Sequence, residues 1–186
     1  MRAARLVGCG RPLLHIAVRG SSSSSSFLAR ALEANDARVL LGRFKSAGAV
    51  FDKCLEDAGF ECIAIGPDSV ECRLKVAESL CNNYGTLHGG ATSTLVDVVG
   101  TLALLGKDPT RPGVSVEMNQ SFCSAAKLGD ELTIEGRVLR YGKKIGFTEV
   151  HVRLFDAENP TAAGRLIATG RHTKFLDLQQ KKATNG

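Results

Sequence analysis

The chain has 186 residues, 44% of them hydrophobic, which suits one domain with a packed core plus an appendage. Its 24 basic and 19 acidic residues give a net charge of +5, but Arg2, Arg5, Arg11, Arg19 and Arg30 lie in residues 1–32, which hold no acid. Without that stretch the 19 remaining basic residues balance the 19 acidic ones, so the charge argues for no nucleic-acid partner. No apolar run reaches the roughly 18 residues of a transmembrane helix.

Residues 1–32 are Arg-rich and Ser-rich, with six serines in a row at 21–26. That is the composition of an organellar transit peptide, so mitochondrial localisation is expected, with a plastid as the alternative. A secretory signal is disfavoured because Gly8, Gly10, Arg11 and Pro12 break the apolar region it needs. The cysteines at 9, 54, 62, 72, 81 and 123 show no paired spacing and are expected to be reduced thiols. No metal site and no cofactor are expected, because no His/Cys cluster has ligand spacing.

Residues 30–58 are expected to be helical, in two pieces because Gly42 and Gly48 interrupt them, with Phe51, Leu55 and Ala58 forming a stripe that ends at Gly59. Residues 60–65 and 70–76 flank Gly66-Pro67-Asp68-Ser69 and read as a β-hairpin. Proline presets φ in that turn, and Asp and Ser bond to local backbone. In the second arm Val70, Cys72, Leu74 and Val76 alternate with Glu71, Arg73 and Lys75, which predicts one buried face.

The stretch 82–106 is a glycine-rich loop running into one long apolar helix. Ala91, Leu95, Val98, Leu102 and Leu105 make the helical stripe, and Val99 and Leu104 extend it almost all round, which predicts burial. Asp97 is the misfit, because a buried lone carboxylate is costly. Gly90, Thr94, Asp97 and Thr101 share a second face of small residues. A carboxylate on such a face, two turns beyond a Gly89-Gly90 helix start whose N–H groups have no helical partners, has the makings of a site. An exposed aspartate on a helix surface is the plainer alternative from the residues alone.

Four strand-like runs follow, over 114–119, 131–141, 145–155 and 164–176, with Gly136 a candidate bulge or bend. The tail 177–186 is polar. The order predicts an α+β domain over residues 33–176: a long helix across one antiparallel sheet of about six strands. An open sheet has vulnerable edges, so at least a dimer is expected.

The residues Asn82-x-x-Gly85-Thr86-Leu87-His88-Gly89-Gly90, then Thr94-Leu95-Val96-Asp97, then Gly113-Val114-Ser115-Val116-Glu117-Met118-Asn119, together resemble the hotdog-fold acyl-CoA thioesterases. The likeness covers about residues 38–176, including Ala125-Ala126-Lys127-Leu128-Gly129 and Gly170-Arg171-His172-Thr173-Lys174. The resemblance implies the hotdog fold and hydrolysis of medium- or long-chain fatty acyl-CoA. It also implies a homodimer or dimer of dimers with sites at the subunit interface. On its terms Asp97 is the general base or nucleophile and Ser115 orients the water. The Gly89 N–H polarises the thioester carbonyl, Asn82 helps bind it, and His88 holds the loop.

Thioester hydrolysis requires such a base and such an oxyanion stabiliser. Burial is expected to raise the Asp97 pKa. For the coenzyme A moiety the resemblance points to the turn Arg140-Tyr141-Gly142-Lys143-Lys144 and to Lys127, with Arg171 and Lys174 as further candidates. Phe175, where relatives carry a polar residue, and a long 156–164 loop are departures. Two rivals stand: a hotdog enoyl-thioester hydratase or dehydratase, for which His88 and Asp97 supply the residue types, and a non-catalytic acyl-CoA-binding module. Ser115 lacks the Gly-x-Ser-x-Gly setting of a serine nucleophile, and Cys81 and Cys123 have no evident paired base.

Overall fold

The computed structural model describes residues 51–159 and 163–177. The expected transit peptide, most of the expected 30–58 helices and nearly all of the polar tail lie outside the described residues. Of those helices the described part is α1 (Lys53–Asp57). Leu55 is buried there, but Phe51 is 75% exposed, so the expected stripe is not formed among the described residues.

The strands are β1 (Glu61–Ile65), β2 (Ser69–Lys75), β3 (Val114–Phe122), β4 (Glu131–Tyr141), β5 (Ile145–Leu154) and β6 (Leu166–Phe175). They form one antiparallel sheet in the order β1-β2-β4-β5-β6-β3. Helix α2 (Gly89–Lys107) lies across its inner face. This is the expected helix-on-sheet α+β architecture. The β1–β2 hairpin closes with the Gly66 N–H donating to the Ser69 carbonyl at 2.8 Å. Asp68 in its turn meets Lys107 at the end of α2, also at 2.8 Å, tying hairpin to helix.

His88 caps α2: its Nδ1 accepts from the Gly90 N–H at 2.8 Å. The helix stops at Asp108 because Pro109 cannot continue it. Leu95, Val96, Val99, Leu102, Ala103 and Leu104 have no exposed surface. By length and composition alone this helix is long and apolar enough to cross a bilayer, but 67% of its most apolar 18-residue window is buried in the chain. It is the core helix of the domain.

Gly136 is not a bulge. It pairs regularly with Val70 and Val150, and the register shift falls between Val138 and Arg140. A Cβ at Gly136 would stand 2.9 Å from both Val99 Cγ1 and the Val99 carbonyl oxygen. The glycine is there so that α2 can lie close on β4.

The sheet edges differ in one important respect. On β3, Val114, Val116, Met118 and Phe122 are 47%, 56%, 40% and 60% exposed. The alternation read along 114–119 therefore has no buried face within one chain, and among the described residues one side of β3 has no strand partner.

Candidate active site

Asp97 sits mid-way along α2 and faces the inner surfaces of β3 and β6. Ser115, near the start of β3, brings its Oγ to 3.5 Å from Asp97 Oδ1. The short contact is elsewhere: His172 Nε2 lies 2.7 Å from Ser115 Oγ and 3.5 Å from Asp97 Oδ1. Thr101 donates to the Asp97 carbonyl at 2.8 Å, and Lys174 Nζ donates to Thr101 Oγ1 at 2.7 Å while standing 3.9 Å from Asp97 Oδ1. Asp97, Ser115, His172, Lys174 and Thr101 thus form one polar cluster between helix and sheet.

The Asp97 side chain is 48% exposed, so the burial expected of it is not met within one chain. His172 by contrast has no exposed surface, and Lys174 has 6%. Burial pushes the His172 pKa below 6.5; Asp97 opposes this and Lys174 reinforces it. The imidazole is therefore neutral at pH 7. Among the described residues its Nδ1 has no hydrogen-bond partner. Nε2 and Ser115 Oγ share one hydrogen bond, and the Asp97 carbonyl is a further partner of the ring. In the tautomer that carries its proton on Nε2, the Ser115 hydroxyl hydrogen is left for Asp97 or for a water between them. Burial likewise lowers the Lys174 pKa, with Asp97 and Asp52 pulling it back up.

His172 and Lys174 as neighbours of Asp97 are the residues that sequence reading missed. The signal was present: Ala168, Gly170, His172, Lys174 and Leu176 alternate along β6 and are all buried. A histidine and a lysine in phase with such a run must point under the helix. Lys174, grouped above with the coenzyme A candidates, is thus buried beside Asp97 and Thr101. Arg171, in the opposite phase, is exposed and lies 3.7 Å from Glu149 on the outer face.

The second group of candidates lies at the N-terminus of α2. Gly89 and Asn82 line a cavity of about 330 Å³ whose walls include Leu87, Phe122, Ala126 and Ile167. With His88 occupied by Gly90, the Gly89 N–H has no partner among the described residues. Asn82 Oδ1 accepts from the N–H groups of Tyr84 and Thr86, and its Nδ2 donates to Thr86 Oγ1 at 2.9 Å. The loop is thereby fixed, and one Nδ2 hydrogen remains. His88 is an exposed cap, nine residues from Asp97 along the helix, so the chain forms no His88–Asp97 pair of the kind the hydratase reading needs.

One distance governs what the site can do. Gly89 and Asp97 are eight residues apart on one helix, about 12 Å at 1.5 Å per residue. The structure brings Asp97 and Ser115 together, and Gly89 and Asn82 together, but not the two pairs within one chain.

The coenzyme A candidates also divide. Lys127 is exposed beside the start of α2, where it bridges Thr86. Arg140, Lys143 and Lys144 are exposed at the far end, where Arg111, just past the helix, donates to the Lys143 carbonyl. Gly142 closes that turn by donating to the Ile145 carbonyl at 2.9 Å. Tyr141 has partners in its own chain: its OH is 3.4 Å from Asp108 Oδ2, and the Arg111 guanidinium stands 5.6 Å from its ring centre.

A long apolar helix wrapped by a six-stranded antiparallel sheet, with a mid-helix carboxylate and, among the described residues, an unpartnered Gly89 N–H at the helix start, is the hotdog thioesterase architecture. The chain belongs to the thioesterase superfamily, whose family profile matches residues 84–163. It is 43% identical over 138 residues to acyl-coenzyme A thioesterase 13 of Mus musculus, covering 74% of this chain and 91% of that one. Its fold is similar to the crystal structure of thioesterase superfamily member 2 from Mus musculus. The TM-score is 0.62 at 37% identity, over 82% of this chain and 99% of the other. A hypothetical thioesterase protein from Streptococcus pneumoniae TIGR4, solved with coenzyme A, matches with a TM-score of 0.60 at 27% identity, over 69% and 95% of the two chains.

Proposed function

We propose that this protein is an acyl-CoA thioester hydrolase that releases a free carboxylic acid and coenzyme A. Membership of the thioesterase superfamily and the identity to acyl-coenzyme A thioesterase 13 support the reaction. The observation that carries the mechanism is the Asp97–Ser115–His172 cluster, reached from solvent through Asp97 and Ser115, beside a strand edge unpaired among the described residues and about 12 Å from the oxyanion-binding helix start.

Asp97 takes a proton from a water that Ser115 orients, while neutral His172 holds the serine hydroxyl. The water oxygen attacks the thioester carbonyl. The developing oxyanion needs preorganised donors, and Gly89 N–H with Asn82 Nδ2 fits that task. Because one chain cannot bring those donors to its own Asp97, a second copy supplies them. Pairing along β3 would cover Val114, Val116 and Met118 and place the two half-sites together. The tetrahedral intermediate then expels the coenzyme A thiolate, which is a good leaving group. Attack by the Asp97 carboxylate itself, through a mixed anhydride, fits the same geometry. A single turnover in ¹⁸O-water that leaves label in Asp97 identifies the anhydride route, with water attacking the aspartyl carbonyl; direct water attack on the thioester puts label only in the released acid.

By resemblance the acyl group is medium or long chain, and the apolar walls of the Gly89 cavity suit it. The exposed Lys127, Arg140, Lys143 and Lys144 fit the phosphates of coenzyme A. A dimer of dimers is the assembly that the resemblance favours. We infer mitochondrial import from the Arg-rich, acid-free residues 1–32; imaging of a tagged full-length chain tests this, a plastid being the other outcome.

The decisive experiment follows thiol release from acyl-CoAs of increasing chain length. Wild type should turn over, and Asp97→Ala should lose ~10²-fold or more in kcat. A folded dimer that binds acyl-CoA without releasing thiol would instead be a binding module.

A further inference from the structure

At the sheet edge opposite β3, Cys62 on β1 and Cys72 on β2 are direct cross-strand partners. Directly opposed residues in an antiparallel pair put their side chains on the same face, at the separations that a disulfide bridges. Here that face is the inner one: Cys72 has no exposed surface and packs in the core, and Cys62 is half-buried against it. The remaining described cysteines do not share this arrangement. Cys54 is on α1, Cys81 donates to the Ala77 carbonyl, and Cys123 is exposed at the other end of the sheet.

The two thiols are chemically unequal. A hydrogen bond from Cys72 holds the Cys62 thiol below its ordinary pKa against the opposing effect of burial. Burial drives the Cys72 thiol well up. Cys62 is thus the readier thiolate and, being partly exposed, the one a small oxidant can reach, while Cys72 stays protonated beside it. This is the division of labour between an attacked and a resolving cysteine.

We propose that Cys62 and Cys72 form a reversible redox pair, oxidised by a hydroperoxide to an intramolecular disulfide. The Cys62 thiolate attacks the peroxide oxygen; the O–O bond breaks, the sulfur becomes a sulfenic acid, and hydroxide or alkoxide leaves. The Cys72 sulfur then displaces the sulfenic hydroxyl. The S–S bond forms, and the Cys72 proton departs with that hydroxyl as water. A small-molecule dithiol reverses the link by exchange. The pair lies on the far edge of the sheet from Asp97, so the link ties β1 to β2 without touching the catalytic cluster.

The test treats the reduced full-length protein, under native conditions, with hydrogen peroxide, blocks remaining thiols with a maleimide, and maps the peptides by mass. The expected product is a chain lighter by two hydrogens, with a Cys62–Cys72 crosslinked peptide that dithiothreitol removes. Cys72→Ala should stop the crosslink and leave a Cys62 sulfenic acid that dimedone captures. Cys62→Ala should abolish both products. The wild-type map stands even if the buried Cys72 variant fails to fold. Oxidation that falls first on Cys123 or Cys54, or that drives Cys62 to sulfinic acid while Cys72 stays free, would overturn the proposal.

Discussion

His172 sits where a titration becomes a stability measurement. It faces Ser115, Asp97, Lys174 and Glu117, and burial holds its pKa below 6.5. Between 6.5 and that lower native value the unfolded chain binds a proton that the folded chain refuses. The stability this represents is complete above the window and is lost as pH falls through it. The melting temperature should therefore drop on going from about pH 7 to about pH 5, and the slope should be shallower in His172→Gln. An unchanged slope would mean that other groups carry the acid sensitivity. Gly100 makes room for this histidine. A Cβ there would stand 2.8 Å from Thr148 Oγ1 and 3.1 Å from His172 Nδ1. Gly100→Ala should cost about 1–3 kcal/mol in urea unfolding, as an overpacked core does, and should depress kcat by displacing the imidazole.

At the scale of the element, α2 does two jobs that usually conflict. It is the core of the domain and also carries both halves of the proposed chemistry, at its N-terminus and its middle. The threonine hydroxyls make this tolerable. Thr94 and Thr101 bond back to the Gly90 and Asp97 carbonyls, so their polar groups are satisfied while their methyls pack. The strands accommodate the helix in turn. Gly136→Ala would press on Val99 backbone and side chain at 2.9 Å and should destabilise by about 1–3 kcal/mol without altering KM, provided the fold survives. Chemical denaturation beside steady-state kinetics separates the two effects. Equal losses in stability and KM would place β4 nearer the substrate than the structure does.

For the whole molecule, the exposed edge of β3 and the 12 Å or so between Gly89 and Asp97 lead to one expectation: activity requires association. Val116 is 56% exposed in the chain, so Val116→Lys should fold while its charge blocks edge pairing. Sedimentation should show a smaller species, and thioesterase activity should disappear with it. A monomer that retained full kcat would remove the shared site. The basic groups at the two ends of α2 fit the same picture, because in a paired assembly the far end of one copy need not be distant from the near end of the other. Lys143→Ala with Lys144→Ala should raise KM for acyl-CoA several-fold and leave kcat alone, since a lysine holds a phosphate by a charge-assisted hydrogen bond far from the reacting carbonyl.

Much of this protein was legible in order of chain. Hairpin turn chemistry at 66–69, the apolar periodicity of 91–105 and the alternation of the later strands are local properties, and the corresponding elements lie where those patterns put them. Asp97 stood out for the same reason, as an ionisable group interrupting an apolar period. What the residues could not state locally was who meets whom. The pairing of β3 with β6 joins segments some 55 residues apart and brings His172 to Ser115, while the packing of α2 on β6 sets Lys174 beside Asp97. Gly136 read as a bend because a missing side chain looks the same whether the backbone turns or a helix presses on it. Asp97 read as buried because its helix is, although the face it occupies opens toward an edge that one chain leaves uncovered. Periodicity fixes which face a residue is on; only the packing of distant segments decides what that face meets.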